Sequence, residues 1–412
     1  MTTIFFENYP VAELYDDDGL KLRYDKAWEA RKFAFPISLS MPLGGGPFPA
    51  ELLIPWLANL LPESHLSAIS QQLRQSPQDV IGILQSIGRD TAGAMSIGTP
   101  RKSGNNFSPV PNAAVLKKIL DELPKKPFLI GERGVSMSLA GVQDKLPIFI
   151  DIDGTMGIPV DGTPSTHIIK PDTKRLNGSV QNEAFCMRLA IACGLDAAEV
   201  DTGKAGNRSY ILVKRYDRAK DKDQIVRRIH QEDFCQILGH FPARKYERPS
   251  TTGEKGPSLV TIFNAVRDLV SPGERLKLLD GVIFNVLICN ADSHAKNYSI
   301  LIGAGGSAKL APLYDLLCAN VYSFVDHLLP QKISDRDNAA NLTGADWKKF
   351  ANDVGLRASS TLKRVDELIS KTEVSLEKVA DDIANLPTGD HDIIPKIVHE
   401  IQKRCKRISR QL

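Results

Sequence analysis

Asn290-Ala-Asp292-Ser-His294-Ala-Lys-Asn297-Tyr-Ser299 is a polar segment directly behind the apolar helical run Leu276 to Cys289 and ahead of a β-like run. Its Asp292 and Asn297 stand five positions apart. Phosphoryl transfer uses such a pair: one short loop points a carboxylate base at the nucleophile while its amide stays on the magnesium that bridges the phosphates. By itself Asp-x-x-x-x-Asn is common, and Asp or Asn in a loop often serves as a turn or cap residue. Order strengthens the reading. Leu313-Tyr314-Asp315 follows a β-like run eighteen residues after Asn297, where a second metal-binding carboxylate would be expected.

Upstream, Lys170 closes the apolar strand Thr166-His-Ile-Ile-Lys. A strand-end lysine can neutralise α- and β-phosphates, as in the kinase motif Val-Ala-Ile-Lys, or can simply reach into solvent. Glu183, thirteen residues further on at the start of a helix read over 182–193, could orient that lysine by an ion pair or could complement the helix dipole. Ser136-Met-Ser138-Leu-Ala140-Gly141-Val142-Gln143-Asp144-Lys145 is small and flexible in its middle and precedes a strand. Backbone N–H groups of an Ala-Gly turn can approach phosphate oxygens, with a lysine adding charge, although an ordinary β-turn has the same composition.

The rest of the chain sets the frame. Its 412 residues, at roughly 150 per domain, suit two or three domains. With 42% hydrophobic and 25% charged residues it is an ordinary globular composition, which excludes wholesale disorder and fibrous repeats. A net charge of +3, from 52 basic and 49 acidic side chains, does not make nucleic acid the obvious partner of the whole chain. No run is long and apolar enough to span a bilayer and no signal-like start is present, so a soluble, cytoplasmic protein is expected. Six cysteines without a Cys-x-x-Cys pair read as reduced core thiols. Residues 1 to about 120 read as a small first unit, with a helix from Ala50 to Glu63 and a surface turn at Leu43-Gly-Gly-Gly-Pro-Phe-Pro49. Residues 130–225 are strand-rich, through Leu146–Ile152, Thr166–Lys170 and Tyr210–Tyr216. From about Gln231 onward the period becomes helical, apart from a hairpin near 298–313. Ala219–Gln224 reads as a solvated turn, and the basic tail Lys396–Leu412 as an amphipathic helix whose charges face solvent or nucleic-acid phosphates.

Seven ordered stretches together resemble the HipA family of bacterial toxin–antitoxin serine/threonine kinases: Ser138–Lys145, Thr166–Lys170, Gln181–Cys186, Lys214-Arg-Tyr-Asp-Arg218, Gln231–Gln236, Asp292–Asn297 and Tyr314-Asp315. Asn59-Leu-Leu-Pro-Glu63 and Ile87-Gly-Arg-Asp90 extend the resemblance into the first unit. It implies an α+β, protein-kinase-like fold with a small N-terminal subdomain (1–120), a mixed α/β N-lobe holding a nucleotide loop (130–225) and a mainly helical C-lobe holding the catalytic loop (226–412). It also implies ATP and Mg2+ as cofactors. Asp292 would be the catalytic base, and Asn297 and Asp315 the magnesium ligands. Ala140, Gly141, Val142, Gln143, Asp144 and Lys145 would cradle phosphates, with Lys170 a further phosphate contact. Lys214, Arg215 and Tyr216 would form the hinge that meets adenine, and His294 and Tyr314 would line the nucleotide site. Ser138 would be autophosphorylated, ejecting its loop and switching off ATP binding. The implied partners are an antitoxin with a helix-turn-helix DNA-binding domain, operator DNA through that complex, and a protein substrate in translation such as an aminoacyl-tRNA synthetase, with growth inhibition and persistence as the outcome. The chain departs from the family pattern at Lys214 and after Asp315, where 320–334 match poorly. A catalytically silent co-repressor and a small-molecule phosphotransferase are the rival readings.

Overall fold

The computed structural model describes residues 1–102, 104–249 and 253–412. Alternating burial along Tyr9–Asp16 and Leu20–Tyr24 makes one face of a sheet apolar, and the chain buries it. These strands join Thr2–Phe6, Phe48–Pro49 and Met95–Ile97 in a five-stranded antiparallel sheet with Thr2–Phe6 between Tyr9–Asp16 and Met95–Ile97. The helix Ala50–Ala58 packs on it and against Val80–Ile87, burying Leu53, Trp56, Ile83 and Leu84. That helix stops five residues before the expected Glu63. Asn59 Nδ2 donates to the Pro55 and His240 carbonyls, each at 2.8 Å, and Pro62 has no N–H with which to continue the ladder. Residues 59–63 thereby become an irregular strap.

The second sheet has six antiparallel strands in the order Val200–Ala205, Arg208–Lys214, His167–Pro171, Leu146–Ile150, Met156–Pro159 and Phe107–Pro109. The three β-branched runs of the sequence are among them. Phe107–Pro109 and the helix Ala113–Glu122, which packs on Val200–Ala205, join this sheet and not the first. The helix Ser179–Ala192 is buried on nearly every side because it lies between the sheet and the long helix Ala358–Ala384. It ties the mixed half to the helical half.

The expected hairpin is present as Ser299–Ile302 and Ala308–Leu310, with His230–Asp233 added as a third strand. The helix Pro272–Leu287 starts on a Ser271 cap, its Oγ accepting from Glu274 N at 3.3 Å, with Pro272 at the first helical position. It ends where Cys289 enters the left-handed region (φ 60°), which turns residues 290–299 across the junction of the halves. Helices Gly344–Asp353, Ala358–Ala384 and Ile393–Ser409 complete an α+β architecture. All six cysteines are free and buried. No helix among the described residues is long and apolar enough to cross a membrane.

Candidate active site

Residues 290–297 are wound on themselves before they meet anything else. Asn290 Nδ2 donates to Asn285 Oδ1 (2.8 Å) and its Oδ1 accepts from Asp292 N (3.0 Å). The Asp292 carbonyl then accepts from His294 N and from Asn297 Nδ2, both at 2.8 Å. Asp292 and Asn297 are thus locked in one small ring. The Asp292 carboxylate accepts from the Tyr246 hydroxyl at 2.5 Å, and 53% of its side chain stays open. Its remaining half lies in protein, and this burial pushes the carboxyl pKa up. His294 Nε2 lies 3.8 Å from Asp292 Oδ1, its ring edge-on to Tyr246 with centroids 5.1 Å apart. Burial, with Lys245 and Lys296 nearby, drives the imidazole well below 6.5, so it is neutral at physiological pH. Its buried Nδ1 has no hydrogen-bond partner among the described residues.

A second cluster faces this ring. Lys170 Nζ, at the end of its strand, pairs with Glu183 Oε1 at 2.7 Å and also with Asp315. Burial disfavours its charge, but Asp315 and Glu183 outweigh burial and raise its pKa. Asp315 is held in the left-handed region (φ 53°), and Lys170 and Lys145 overcome its burial to bring its carboxyl down to about 2. Burial lowers Lys145 to about 8, and its Nζ donates to the Ala140 carbonyl at 2.5 Å. Tyr314 reaches away from the cluster, its hydroxyl donating to the Lys296 carbonyl and meeting Ser299 Oγ, both at 2.6 Å, while its ring packs 5.7 Å from Tyr216.

The Ser136–Lys145 loop brings Lys145 into the field of Lys170 and Asp315. Gly141 sits at φ 110°, where a side chain would be strained. Ser138 is fully buried, its Oγ donating to the Leu60 carbonyl at 2.7 Å and its N to the Asp90 carbonyl at 2.9 Å. Val142 is exposed, Gln143 Nε2 lies 3.5 Å from the Pro171 carbonyl, and the Asp144 carboxylate is taken by His65 at 2.8 Å.

Two expected hinge side chains lie elsewhere. Lys214 points to the surface and pairs with Glu199 at 2.8 Å, because strand alternation turns it outward. Arg215 is buried in an ion network with Asp217 (2.7 Å) and Asp90 (3.7 Å). The backbone N–H groups of both are committed as well, donating to the Glu199 and Thr166 carbonyls, each at 2.9 Å. Tyr216 stays at the junction, its hydroxyl donating to Gln231 Oε1 at 2.5 Å. The sequence reading missed Tyr246, Lys245 and Glu63. Lys245 and Tyr246 lay in the stretch read as helical, where no residue between Gln236 and Leu276 was singled out, while Glu63 lay in a recognised stretch whose residues had no stated role. The basic tail forms the amphipathic helix Ile393–Ser409, with Ile394, Ile397, Ile401, Cys405 and Ile408 buried and Lys403, Lys406 and Arg410 along an open groove.

Asp315 and Asn297 offer hard oxygen donors. Among the described residues no three His, Cys, Asp or Glu side chains gather as a complete metal cage. Mg2+ is held by one or two carboxylates together with waters and substrate phosphates, and Asp315 and Asn297 are donors of that kind.

Comparison with known proteins bears on the family of the chain. The HipA N-terminal domain family matches residues 2–98 and the HipA-like C-terminal domain family matches residues 137–376. A Sinorhizobium fredii protein named "Putative kinase Y4mE" is 38% identical over 88% of this chain and 87% of its own. The serine/threonine-protein kinase toxin HipA of Shewanella oneidensis is 29% identical over 95% of this chain and 91% of its own. A solved structure of HipA from that organism, in complex with HipB and operator DNA, superposes with a TM-score of 0.84 at 26% identity, covering 99% of this chain and 97% of that one. The chain, with both HipA domains in order and a HipA fold over its whole length, belongs to the HipA family and is a kinase.

Proposed function

We propose that the protein is the kinase toxin of a toxin–antitoxin module, transferring the γ-phosphoryl of MgATP to a serine or threonine hydroxyl on a protein of the translation machinery. An aminoacyl-tRNA synthetase is the substrate class this family reading favours. The observation that carries the proposal is the single buried Lys170 shared by Glu183 and Asp315, set against the Asp292–Asn297 ring. Such a set performs catalysis by positioning and charge neutralisation, with little covalent chemistry by the protein.

Bound magnesium supplies charge neutralisation of the phosphates. Asp315 and Asn297 Oδ1 are the groups to hold it, since Asn297 Nδ2 is already committed to the Asp292 carbonyl. Lys170 and Lys145 bear on the phosphates beside Gly141, and Asp292 accepts the hydroxyl proton after exchanging its bond from Tyr246. Of the Lys214–Tyr216 stretch, Tyr216 is the part to meet adenine beside His294 and Tyr314, since the Lys214 and Arg215 N–H groups already donate to Glu199 and Thr166. Ser138 is the self-modification site. Its buried hydroxyl must first leave the Leu60 carbonyl, so phosphorylation belongs to a loop-out state, and a dianion on Ser138 cannot return to that pocket. In this reading the protein acts in the cytoplasm, its first unit ending before Phe107, and an antitoxin with a helix-turn-helix domain bridges the toxin to its operator.

The test is incubation with MgATP, alone and beside Asp292→Ala, followed by intact mass and site mapping. A gain of about 80 Da on Ser138 in the parent only, one phosphoryl group, is expected. The variant should lose transfer by at least about a hundredfold. No gain in an initially unphosphorylated parent that binds MgATP would instead favour the silent co-repressor.

A further inference from the structure

One side chain of the 290–297 segment has no part in the chemistry described so far. Lys296 is buried, and its ammonium donates to Asn59 Oδ1 at 2.6 Å, to Asp233 Oδ2 at 2.7 Å and to the Asn59 carbonyl at 3.3 Å, which uses all the protons an ammonium has. Each acceptor is itself fixed. Asp233 also accepts from Gln236 N at 2.9 Å, in the capping box of the short helix Phe234–Ile237, and Gln236 Nε2 donates to the Trp56 carbonyl at 3.2 Å. The Asn59 amide nitrogen is committed to the Pro55 and His240 carbonyls. A charge buried this way costs desolvation that Met or Leu at 296 would avoid. What the ammonium adds is direction, since three fixed acceptors allow its long stem one course.

The backbone of Lys296 carries the consequence. Its next residue is Asn297, in the short turn Ala295–Asn297. Its carbonyl accepts from the Tyr314 hydroxyl at 2.6 Å, and the residue after Tyr314 is Asp315, held at φ 53°. Both donors assigned to magnesium therefore stand one residue from a group that Lys296 fixes.

We propose that Lys296 is a positioning residue for the metal site: held by Asn59 and Asp233, it sets the course of the 295–297 turn and, through the Tyr314 hydroxyl, the placement of Asn297 relative to Asp315. This rests on those two residues being the magnesium ligands. Through Asn59 the N-terminal unit takes part in building a site to which it contributes no ligand. Groups that orient ligands weigh heavily on metal affinity, since removing one typically weakens binding ten- to a hundredfold.

The experiment titrates the full-length protein with Mn2+, an ion that takes the same oxygen donors, in the presence of a saturating non-hydrolysable ATP analogue. Free Mn2+ is read from its electron paramagnetic resonance signal, so no turnover is needed. It compares the parent with Lys296→Met, Asn59→Leu, Tyr314→Phe and the double variant Lys296→Met/Tyr314→Phe, using Asp315→Asn as the blank, and measures metal-free nucleotide affinity and unfolding midpoints beside them. Lys296→Met should weaken Mn2+ binding by roughly tenfold or more, with metal-free nucleotide affinity little changed. Asn59→Leu and Tyr314→Phe should weaken it in the same sense. The double variant should bind about as weakly as the weaker single variant, because both changes break one chain of contacts. If Mn2+ affinities equal the parent's while unfolding midpoints fall, the lysine is only a tie between units and the proposal is overturned with the ligand assignment intact. Should Lys296→Met fail to fold, Asn59→Leu and Tyr314→Phe decide in its place, and parental Mn2+ affinity in both overturns the proposal. A parent that binds Mn2+ no better than Asp315→Asn would remove the ligand assignment and the proposal with it.

Discussion

His230 is buried where the first sheet meets the third. Its Nε2–H donates to the Ile37 carbonyl at 2.7 Å, its Nδ1 accepts from Ala94 N at 3.4 Å, and its ring stacks on Phe35 with centroids 5.2 Å apart. Burial lowers its pKa from 6.5 to about 4. The unfolded chain takes up a proton as pH falls through 6.5 and the folded chain does not until about 4, so the residue costs stability as acid is added across that window. The full difference is about 3 kcal/mol. Glu232 works in the opposite sense, because burial raises its carboxyl to about 7 and its folded form keeps a proton that the unfolded chain has lost. The difference between parent and His230→Gln isolates the imidazole. Denaturant midpoints measured at several pH values should converge as pH falls through the window, and parallel curves would refute this account. At the active site, Asp315→Asn should abolish the magnesium dependence of nucleotide binding, read by titrating ATP with and without Mg2+, while leaving the Lys170–Glu183 pair in place.

At the scale of elements, the hairpin of Arg218–Lys220 and Val226–Arg228 clamps the Ser136–Lys145 loop through Asp90. Arg218 and Arg228 approach Asp90 Oδ1 at 2.9 and 3.3 Å, and Ser165 Oγ donates to Oδ2 at 2.7 Å. Burial opposes the charge, but Arg218, Arg215 and Arg228 hold the carboxyl well below the usual range. The backbone of Asp90 meanwhile bonds Ser136 and Ser138 on the loop. Asp90→Ala would leave three buried guanidinium groups with Asp217 as the carboxylate nearest to two of them, so it should cost about 3–5 kcal/mol. Amides of 136–138 should exchange faster in the same variant, and unchanged exchange with unchanged stability would refute the clamp. The charge run 219–224 was legible as a turn. That its flanking arginines go inward was not, because an arginine beside a turn looks solvated until its buried carboxylate, more than a hundred residues away, is known.

For the whole molecule, one continuous hydrophobic core runs from Ile4 and Trp56 through Phe185 and Phe284 to Ile401. Glu232 adds a polar tie across the same junction, accepting from Ser38 Oγ at 2.6 Å, Leu39 N at 2.7 Å and Trp56 Nε1 at 3.2 Å. The units should therefore unfold together, giving a single calorimetric transition, and two resolved transitions would contradict a shared core. MgATP at a hundredfold excess over its dissociation constant should stabilise that transition by about 2.7 kcal/mol.

The sequence alone determined what depends on neighbours along the chain. The strand runs, the helix that precedes residue 290 and the five-residue separation of Asp292 and Asn297 follow from periodicity, capping and local spacing, with the family motifs pointing the same way; of the two roles the sequence left open for Glu183, the fold selected the ion pair with Lys170. Only the tertiary structure decided which side chains face the junction. It turned Lys214 out by strand alternation, drew Arg215 into the Asp90 network, buried Ser138 under Leu60, and carried Glu63 from the first unit to Lys245 beside residues 290–297. Those outcomes rest on contacts between residues far apart in sequence, where burial and the pairing of charges are settled by the whole fold.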